Sequence, residues 1–161
     1  MEGKCLEYST NHVFDFDITM MKQILLRKYK HDHYKSPFNY YVEYNIPDSL
    51  ASIINIDEIK IKHLITFYDD KIEVVSNKTL DILTKQANTK FKILYQVENN
   101  KTRVFFKIKV DLQFLPSFII TLINPMFDYI VESIFMNERK NEQEIFDNYI
   151  YFDVQVIIDK I

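Results

Sequence analysis

Few side chains in this sequence stand in patterns that could do chemistry. His31-Asp32-His33 has the residue types of a metal site, but the whole chain holds only four histidines and one cysteine, which favours a surface loop. The acidic pairs Asp15/Asp17 and Asp69/Asp70 fall at a predicted strand end and a predicted turn, where acids are favoured for local reasons. Neither pair is marked as an acid–base couple. We therefore predict no catalytic residue and no metal ligand.

The candidate nucleophiles are equally isolated. Ser9, Ser36, Ser52 and Cys5 lack a strand–turn–helix elbow or a recognisable partner base. Gly3 is the only glycine, so the glycine-rich turns that hold phosphates and dinucleotides are absent. A single cysteine also excludes an internal disulfide. These absences favour a binding protein without a cofactor over an enzyme.

The composition indicates one well-filled domain over residues 1–161. Of the 161 residues, 47% are hydrophobic and 15% aromatic, which is enough for a sizeable single core. The net charge of −3 argues against nucleic acid as a partner, because such domains carry a basic excess. The first ten residues have no apolar run, so we expect no signal peptide. Leu115–Phe135 is the most membrane-like stretch, but its prolines and acids argue against a spanning helix.

A two-residue period dominates the middle of the chain. Arg103–Phe114 alternates apolar and polar residues over twelve positions, which is typical of a long, half-buried strand. Glu98-Asn99-Asn100-Lys101 precedes it and predicts a hairpin turn. An early helix is predicted over Met20–Tyr29, capped by Asp17 or Thr19. Further strands are predicted over Glu7–Phe16, Tyr40–Ile46, Ile59–Phe67, Lys71–Ser76, Thr79–Leu83 and Phe91–Val97.

The period changes to a helical one after Pro116. Apolar pairs recur every four residues over Phe118–Phe135, and Asn124-Pro125 should kink or restart this helix. A helical stripe resumes at Ile145, whereas Tyr151–Ile158 alternates like a strand and stays undetermined. We therefore predict an α+β fold: a curved antiparallel β-sheet wrapped around a long C-terminal α-helix, with a short helix after the first strand. The expected cavity between the layers is lined by Val104, Phe106, Ile108, Val110, Phe118, Leu122, Met126 and Ile130.

Two short motifs resemble a known family. His12-Val13-Phe14-Asp15 is followed, after twelve residues, by Lys28-Tyr29, and Asn137 and Lys140 stand in the predicted long helix. Their order and spacing resemble the PRELI/slowmo family of mitochondrial phospholipid transfer proteins over roughly residues 7–150. The chain departs from that family between Phe67 and Lys71, where a tight turn replaces a longer segment that includes the lid of the lipid cavity. It looks like a shortened member.

The resemblance implies a START-like fold, no catalysis, and transport of phosphatidic acid or phosphatidylserine. By matched position, Lys28, Asn137 and Lys140 would bind the lipid headgroup, and a lysine suits a phosphate as a point charge. The resemblance also implies transient contact with a membrane surface, a small twin Cys-x9-Cys helical protein as partner, and the mitochondrial intermembrane space or a mitochondrion-derived organelle, otherwise the cytoplasm, as location.

Two other functions remain open at this stage. A START-like enzyme would need a polar, titratable cavity interior, whereas the alternation predicts an apolar one. A structural or interaction subunit would have a filled cavity. The packing between the strand Arg103–Phe114 and the helix Phe118–Phe135 separates these possibilities.

Overall fold

The computed structural model describes residues 5–31, 36–45, 48, 58–82 and 85–160. They form one six-stranded sheet with helices against it. In chain order the elements are β1 (Cys5–Phe14), α1 (Ile18–Lys28), β2 (Phe38–Asn45), β3 (Glu58–Phe67), β4 (Lys71–Ile82), β5 (Lys85–Glu98), β6 (Lys101–Asp111) and α2 (Ser117–Lys160). The predicted α+β class, with a short helix after the first strand and a long C-terminal helix, is confirmed.

The sheet is antiparallel throughout, in the order β1-β6-β5-β4-β3-β2. Strands β2 to β6 are neighbours in sequence, while β1 closes the far side by pairing with β6. Because α1 connects the two edge strands, it crosses the sheet on its inner face. The sheet therefore presents one face to the helices and the other to solvent.

Two tight turns follow the prediction. Asn99 and Asn100 have φ angles of 51° and 64° between β5 and β6. Positive φ at both central residues is the geometry of a type I′ turn, which asparagine tolerates and which matches strand twist. Between β3 and β4, the amide of Tyr68 donates to the carbonyl of Lys71 at 2.9 Å.

Several element boundaries differ from the sequence-based ones. Strand β4 is continuous to Ile82 instead of breaking after Ser76, and β5 begins six residues earlier than predicted. Strand β6 ends at Asp111, although Leu112 beyond it is buried and so extends the apolar alternation. Helix α2 runs through Pro125 and includes the alternating tail, because extending a formed helix costs less than starting a new element. The predicted loop His31–Pro37 falls partly outside the described residues.

The described core has two parts. Asp17 caps α1 by accepting from the amide of Met20 at 2.9 Å, which fixes the helix so that Met21, Ile24 and Leu25 are buried. These side chains join a first cluster with the inner faces of the central strands and Phe135. A second cluster surrounds the first half of α2 and contains Leu6, Ala87, Val110, Leu112, Leu115, Ile120, Ile123, Phe127 and Val131.

Helix α2 has an apolar outer side as well. Ile120, Ile123 and Phe127 belong to the second cluster, while Phe118, Leu122, Tyr129 and Met136 are exposed. By length and composition alone the stretch Ser117–Tyr149, which contains an 18-residue window of mean hydropathy 1.4, could cross a membrane. In this structure one side of the helix packs against the sheet.

Candidate functional site

Charged side chains meet where the two helices pass over the sheet. Arg139 and Glu142 lie one turn apart on α2, Lys28 stands in the last turn of α1, and Tyr95 projects from the inner face of β5. Arg139 and Glu142 are 1% and 0% exposed, and the tyrosine is fully buried. We call these four residues the charged cluster.

Glu142 is the centre of the charged cluster. Its Oε2 accepts hydrogen bonds from Lys28 Nζ at 2.8 Å, Tyr95 Oη at 2.9 Å and Arg139 Nη2 at 2.8 Å. Arg139 Nη2 also donates to Tyr95 Oη at 3.1 Å, and its Nε lies 2.7 Å from Glu142 Oε1. At the rim, Lys28 pairs with the partly exposed Glu138. The contacts tie both helices to the sheet.

The cluster keeps its charges despite burial. Desolvation acts to raise the pKa of Glu142, but Arg139 and Lys28 outweigh it and hold that pKa below its ordinary value. Burial acts to lower the pKa of Lys28, and the charge of Glu142 reverses this and raises it. Two buried cations therefore face one buried carboxylate. The second positive charge is balanced by the partly exposed Glu138 at the rim.

Two buried donors of the charged cluster, Nε and Nη1 of Arg139, make no hydrogen bond within the described part of the chain. Nε is at least ion-paired with Glu142 Oε1, whereas Nη1 has no such pair among the described residues. The guanidinium lies 4.7 Å from the ring centroid of Phe135 and 5.5 Å from that of Tyr95, within the range of cation–π contacts. A buried charged donor without a partner is costly, and an anion is the group that would satisfy it.

An apolar wall continues from the charged cluster. The ring of Phe135, next to Arg139, lies 5.5 Å from that of Phe106 on β6. Phe106 and Ile108 contact both core clusters but are only half-buried, although they lie on the inner face of a central strand. Met126 and Ile130 of α2 are half-buried too and pack against the second cluster. The layers touch at Phe106–Phe135 but leave these four side chains partly accessible to solvent. We call Phe106, Ile108, Met126 and Ile130 the apolar wall.

The inner face is more polar than the alternation predicted. His63 of β3 is 3% exposed and meets Phe91 edge-on at 4.7 Å between ring centroids. Desolvation, with a smaller contribution from Lys28, lowers the pKa of His63 to about 4, so it is neutral near pH 7. Ser76, Thr89 and Thr102 are also buried. The described residues contain no group of three His, Cys, Asp or Glu that could hold a metal ion.

The headgroup residues predicted from the resemblance are separated by the structure. Lys28 belongs to the charged cluster, whereas Asn137 and Lys140 are exposed on α2. The buried cation of that segment is Arg139, which the sequence analysis passed over together with Glu142 and Tyr95. A usable signal existed: Arg139 extends the four-residue spacing of Phe127, Val131 and Phe135, so it had to share their buried face.

The predicted cavity lining divides into three groups. Val104 and Val110 are buried in the core, and Phe106, Ile108, Met126 and Ile130 form the apolar wall. Phe118 and Leu122 are 71% and 66% exposed, so they do not line the space between the layers in this structure. Contact with the sheet buries Ile123 in place of its neighbour Leu122, and Ile120 in place of Phe118, two residues before it.

Comparisons with known proteins identify the fold alone. No protein family model and no curated protein matches the sequence. Among solved structures, human STARD10 superposes with a TM-score of 0.52 and 10% identity, covering 98% of this chain and 70% of that one. A protein of unknown function from Staphylococcus aureus, SA2116, gives a TM-score of 0.55 and 8% identity, covering 91% of this chain and 96% of that one. The fold is START-like. In this START-like chain the charged cluster and the apolar wall lie between the sheet and the long helix.

Proposed function

We propose that this START-like chain binds an amphipathic anion, a phospholipid, with its head at Arg139 and its tail along the apolar wall. The observation that carries the proposal is the buried, unpartnered Nη1 of Arg139, close to Lys28, whose second carboxylate partner lies at the rim. A phosphate oxygen there would accept a charge-assisted hydrogen bond from Arg139. The rim carboxylate of Glu138 is the group that such a phosphate would displace from Lys28.

The wall suits the other half of such a ligand. Phe106, Ile108, Met126 and Ile130 are accessible although they lie among core residues, and a ligand tail covering them would remove apolar surface from water. Their side chains carry no hydrogen-bonding group apart from the weak thioether acceptor. The head and tail requirements are thus met by adjoining surfaces, joined at the Phe135–Phe106 contact.

The proposed activity is binding and carriage without catalysis. Arg139 and Lys28 stay protonated and Glu142 stays ionised, because each stabilises the charge of the others. A general acid or base needs a pKa near the working pH, and these three have pKa values moved away from it. The cluster is suited to holding a charge in place.

The finer part of the proposal rests on the PRELI/slowmo resemblance. It names phosphatidic acid or phosphatidylserine as cargo, transfer between mitochondrial membranes or those of a mitochondrion-derived organelle, and a small twin Cys-x9-Cys partner. A lid-free carrier of this kind would exchange lipid quickly, because the turn at Tyr68–Asp70 is too short to cover a ligand.

Lipid analysis of the purified chain tests the proposal. We expect native mass spectrometry to show one phospholipid per chain, and the delipidated chain to take up phosphatidic acid in preference to phosphatidylcholine. In the double variant R139M/E142M, which removes both charges together, we expect at least about a tenfold loss of phosphatidic acid binding.

Lys140→Gln is the matched control, since it removes an exposed cation from the neighbouring position of the same helix. It should bind as the parent chain does. Absence of any bound or transferable phospholipid would overturn the proposal and leave a structural or interaction subunit. Loss of binding in K140Q with retention in R139M/E142M would move the headgroup to the position that the family resemblance implies.

A further inference from the structure

A groove lined by lysines lies on the outer face of the sheet, opposite the face that carries the charged cluster. Lysines on three strands border this groove of about 690 Å³, which is open to solvent. Its floor and walls include the side chains of Leu64, Val75 and Asn77. We call it the lysine groove; its lysines are Lys62, Lys90, Lys92, Lys107 and Lys109.

The register places four of these lysines opposite one another in two pairs. Lys90 is opposite Lys109 and Lys92 is opposite Lys107 in the β5–β6 ladder. Opposed residues of an antiparallel pair have Cα atoms about 5 Å apart, so four lysine side chains leave the sheet from one compact patch of backbone. Like charges directly opposite destabilise a sheet. The chain keeps two such pairs side by side although its net charge is −3.

Acidic neighbours offset only part of this charge. Glu7 lies 3.0 Å from Lys107 and Glu73 lies 3.8 Å from Lys92, while the other three lysines have no ion pair among the described residues. Elsewhere on the same face Lys60 pairs with Glu43, Lys101 with Asp15, and Arg103 with Glu98, while Lys71 lies over the ring of Tyr68. Three lysines without an ion pair among the described residues therefore lie together in the groove.

We infer that the lysine groove is a binding site for an anion that carries two or more phosphate groups. Several phosphates on one anion can be reached together by lysines that arise from one compact patch, and lysine binds phosphate as a compact point charge. The groove is shallow and open to solvent, so an anion can reach the lysines on all three strands at once. The same chemistry occurs in soluble polyphosphates and in the headgroups of polyphosphorylated inositol lipids.

Titration with sodium triphosphate tests the inference on the intact chain. We expect saturable binding that weakens strongly as NaCl is raised, and a rise in the thermal midpoint on binding. The variant K90Q/K109Q should lose about tenfold or more in affinity. Its own thermal midpoint should equal or exceed that of the parent chain, because a like-charged pair is removed. Lys62→Gln, a single exposed substitution, provides a second variant on another strand.

The control is K60Q/K101Q, which removes the same charge from the same face outside the groove and should change affinity less than about twofold. Vesicles of phosphatidylcholine with phosphatidylinositol bisphosphate identify the source: binding that triphosphate competes away assigns a lipid headgroup, and binding of triphosphate alone assigns a soluble anion. Equal binding to phosphatidylserine vesicles of the same total charge would overturn the inference, as would equal losses in K60Q/K101Q and K90Q/K109Q.

Discussion

At the scale of single residues, the buried charges of Arg139 and Glu142 are stable only together. Each would be expensive alone in the interior, and their mutual contact with Lys28 and Tyr95 offsets that cost. The cluster is therefore a place where removing one group does more harm than removing two.

Removing Arg139 alone should destabilise the chain more than removing Arg139 and Glu142 together. Arg139→Met should lower the free energy of unfolding by about 3–5 kcal/mol, because it leaves a buried carboxylate with less compensation. The double variant R139M/E142M should recover most of that loss. Urea denaturation of the two variants and the parent chain measures it; a double variant that is less stable than R139M would contradict the argument.

His63 gives a pH dependence of known sign. Its pKa in the folded chain is about 4, against an ordinary value of 6.5, because burial disfavours the charged ring. The unfolded chain therefore binds a proton below about pH 6.5 that the folded chain does not. Stability should fall between pH 6.5 and 4, by up to about 3 kcal/mol.

The matching variant is His63→Phe, which keeps an aromatic ring next to Phe91. Urea midpoints measured from pH 7 to pH 4.5 should decline less steeply in this variant than in the parent chain. The pKa of His12 is lowered as well, by burial and then by Arg139, so part of the slope should remain. Glu142, whose pKa is lowered, begins to lose its contribution only as the pH nears its ordinary value of 4.5, at the acid end of this range. Equal slopes in both proteins would refute the assignment to His63.

At the scale of elements, the two sides of α2 have different surroundings although both are apolar. Ile123 is 1% exposed in the second core cluster, and the adjacent Leu122 is 66% exposed. Helix geometry places neighbouring residues about 100° apart, so one position packs and the next does not.

Substitutions at these two adjacent positions of α2 should differ in their effect on stability. Ile123→Ala should cost about 2–5 kcal/mol, because it leaves a cavity in a packed cluster. Leu122→Ala should change stability by less than about 0.5 kcal/mol, as an exposed position does. Chemical denaturation of both variants checks the orientation of the helix, and similar costs at the two positions would mean that it is rotated from the described one.

At the scale of the whole molecule, the proposal depends on how closely the sheet and α2 approach each other. They touch through Phe106 and Phe135, yet Ile108, on the same inner face, is only half-buried. Solvent therefore reaches the space beside Ile108. We place the ligand tail of the proposed complex there.

Overfilling this space is the corresponding test. Ile108→Trp should cost less than about 1 kcal/mol and should reduce phospholipid uptake, because the larger ring can occupy the free space. Ile72→Trp, at a fully buried position of the same face, should cost roughly 1–3 kcal/mol or more. A large loss of stability in I108W would show that the layers are packed there.

The local pattern of the sequence determined the kinds of elements and much of their order. Alternation over β6, the Asp17 cap and the Asn99-Asn100 turn depend on neighbouring residues only, so they could be read without a structure. The polar run around Arg139 was less informative, because a helical segment rich in charged residues predicts exposure to solvent and does not show which of its charges is buried. The lysine groove could not be predicted from the sequence either, because its lysines lie on three different strands.

Only the tertiary structure decided which of two adjacent apolar residues faces the sheet, and which of two adjacent cations is buried. Arg139 and Lys140 have the same charge and neighbouring places on one helix, but contact with Tyr95 and Glu142 draws one inside and leaves the other in water. Such choices depend on the register between elements that are far apart in sequence, as the pairing of Lys28 with Glu142 also does. Periodicity fixes the spacing of a face, and long-range packing fixes its direction.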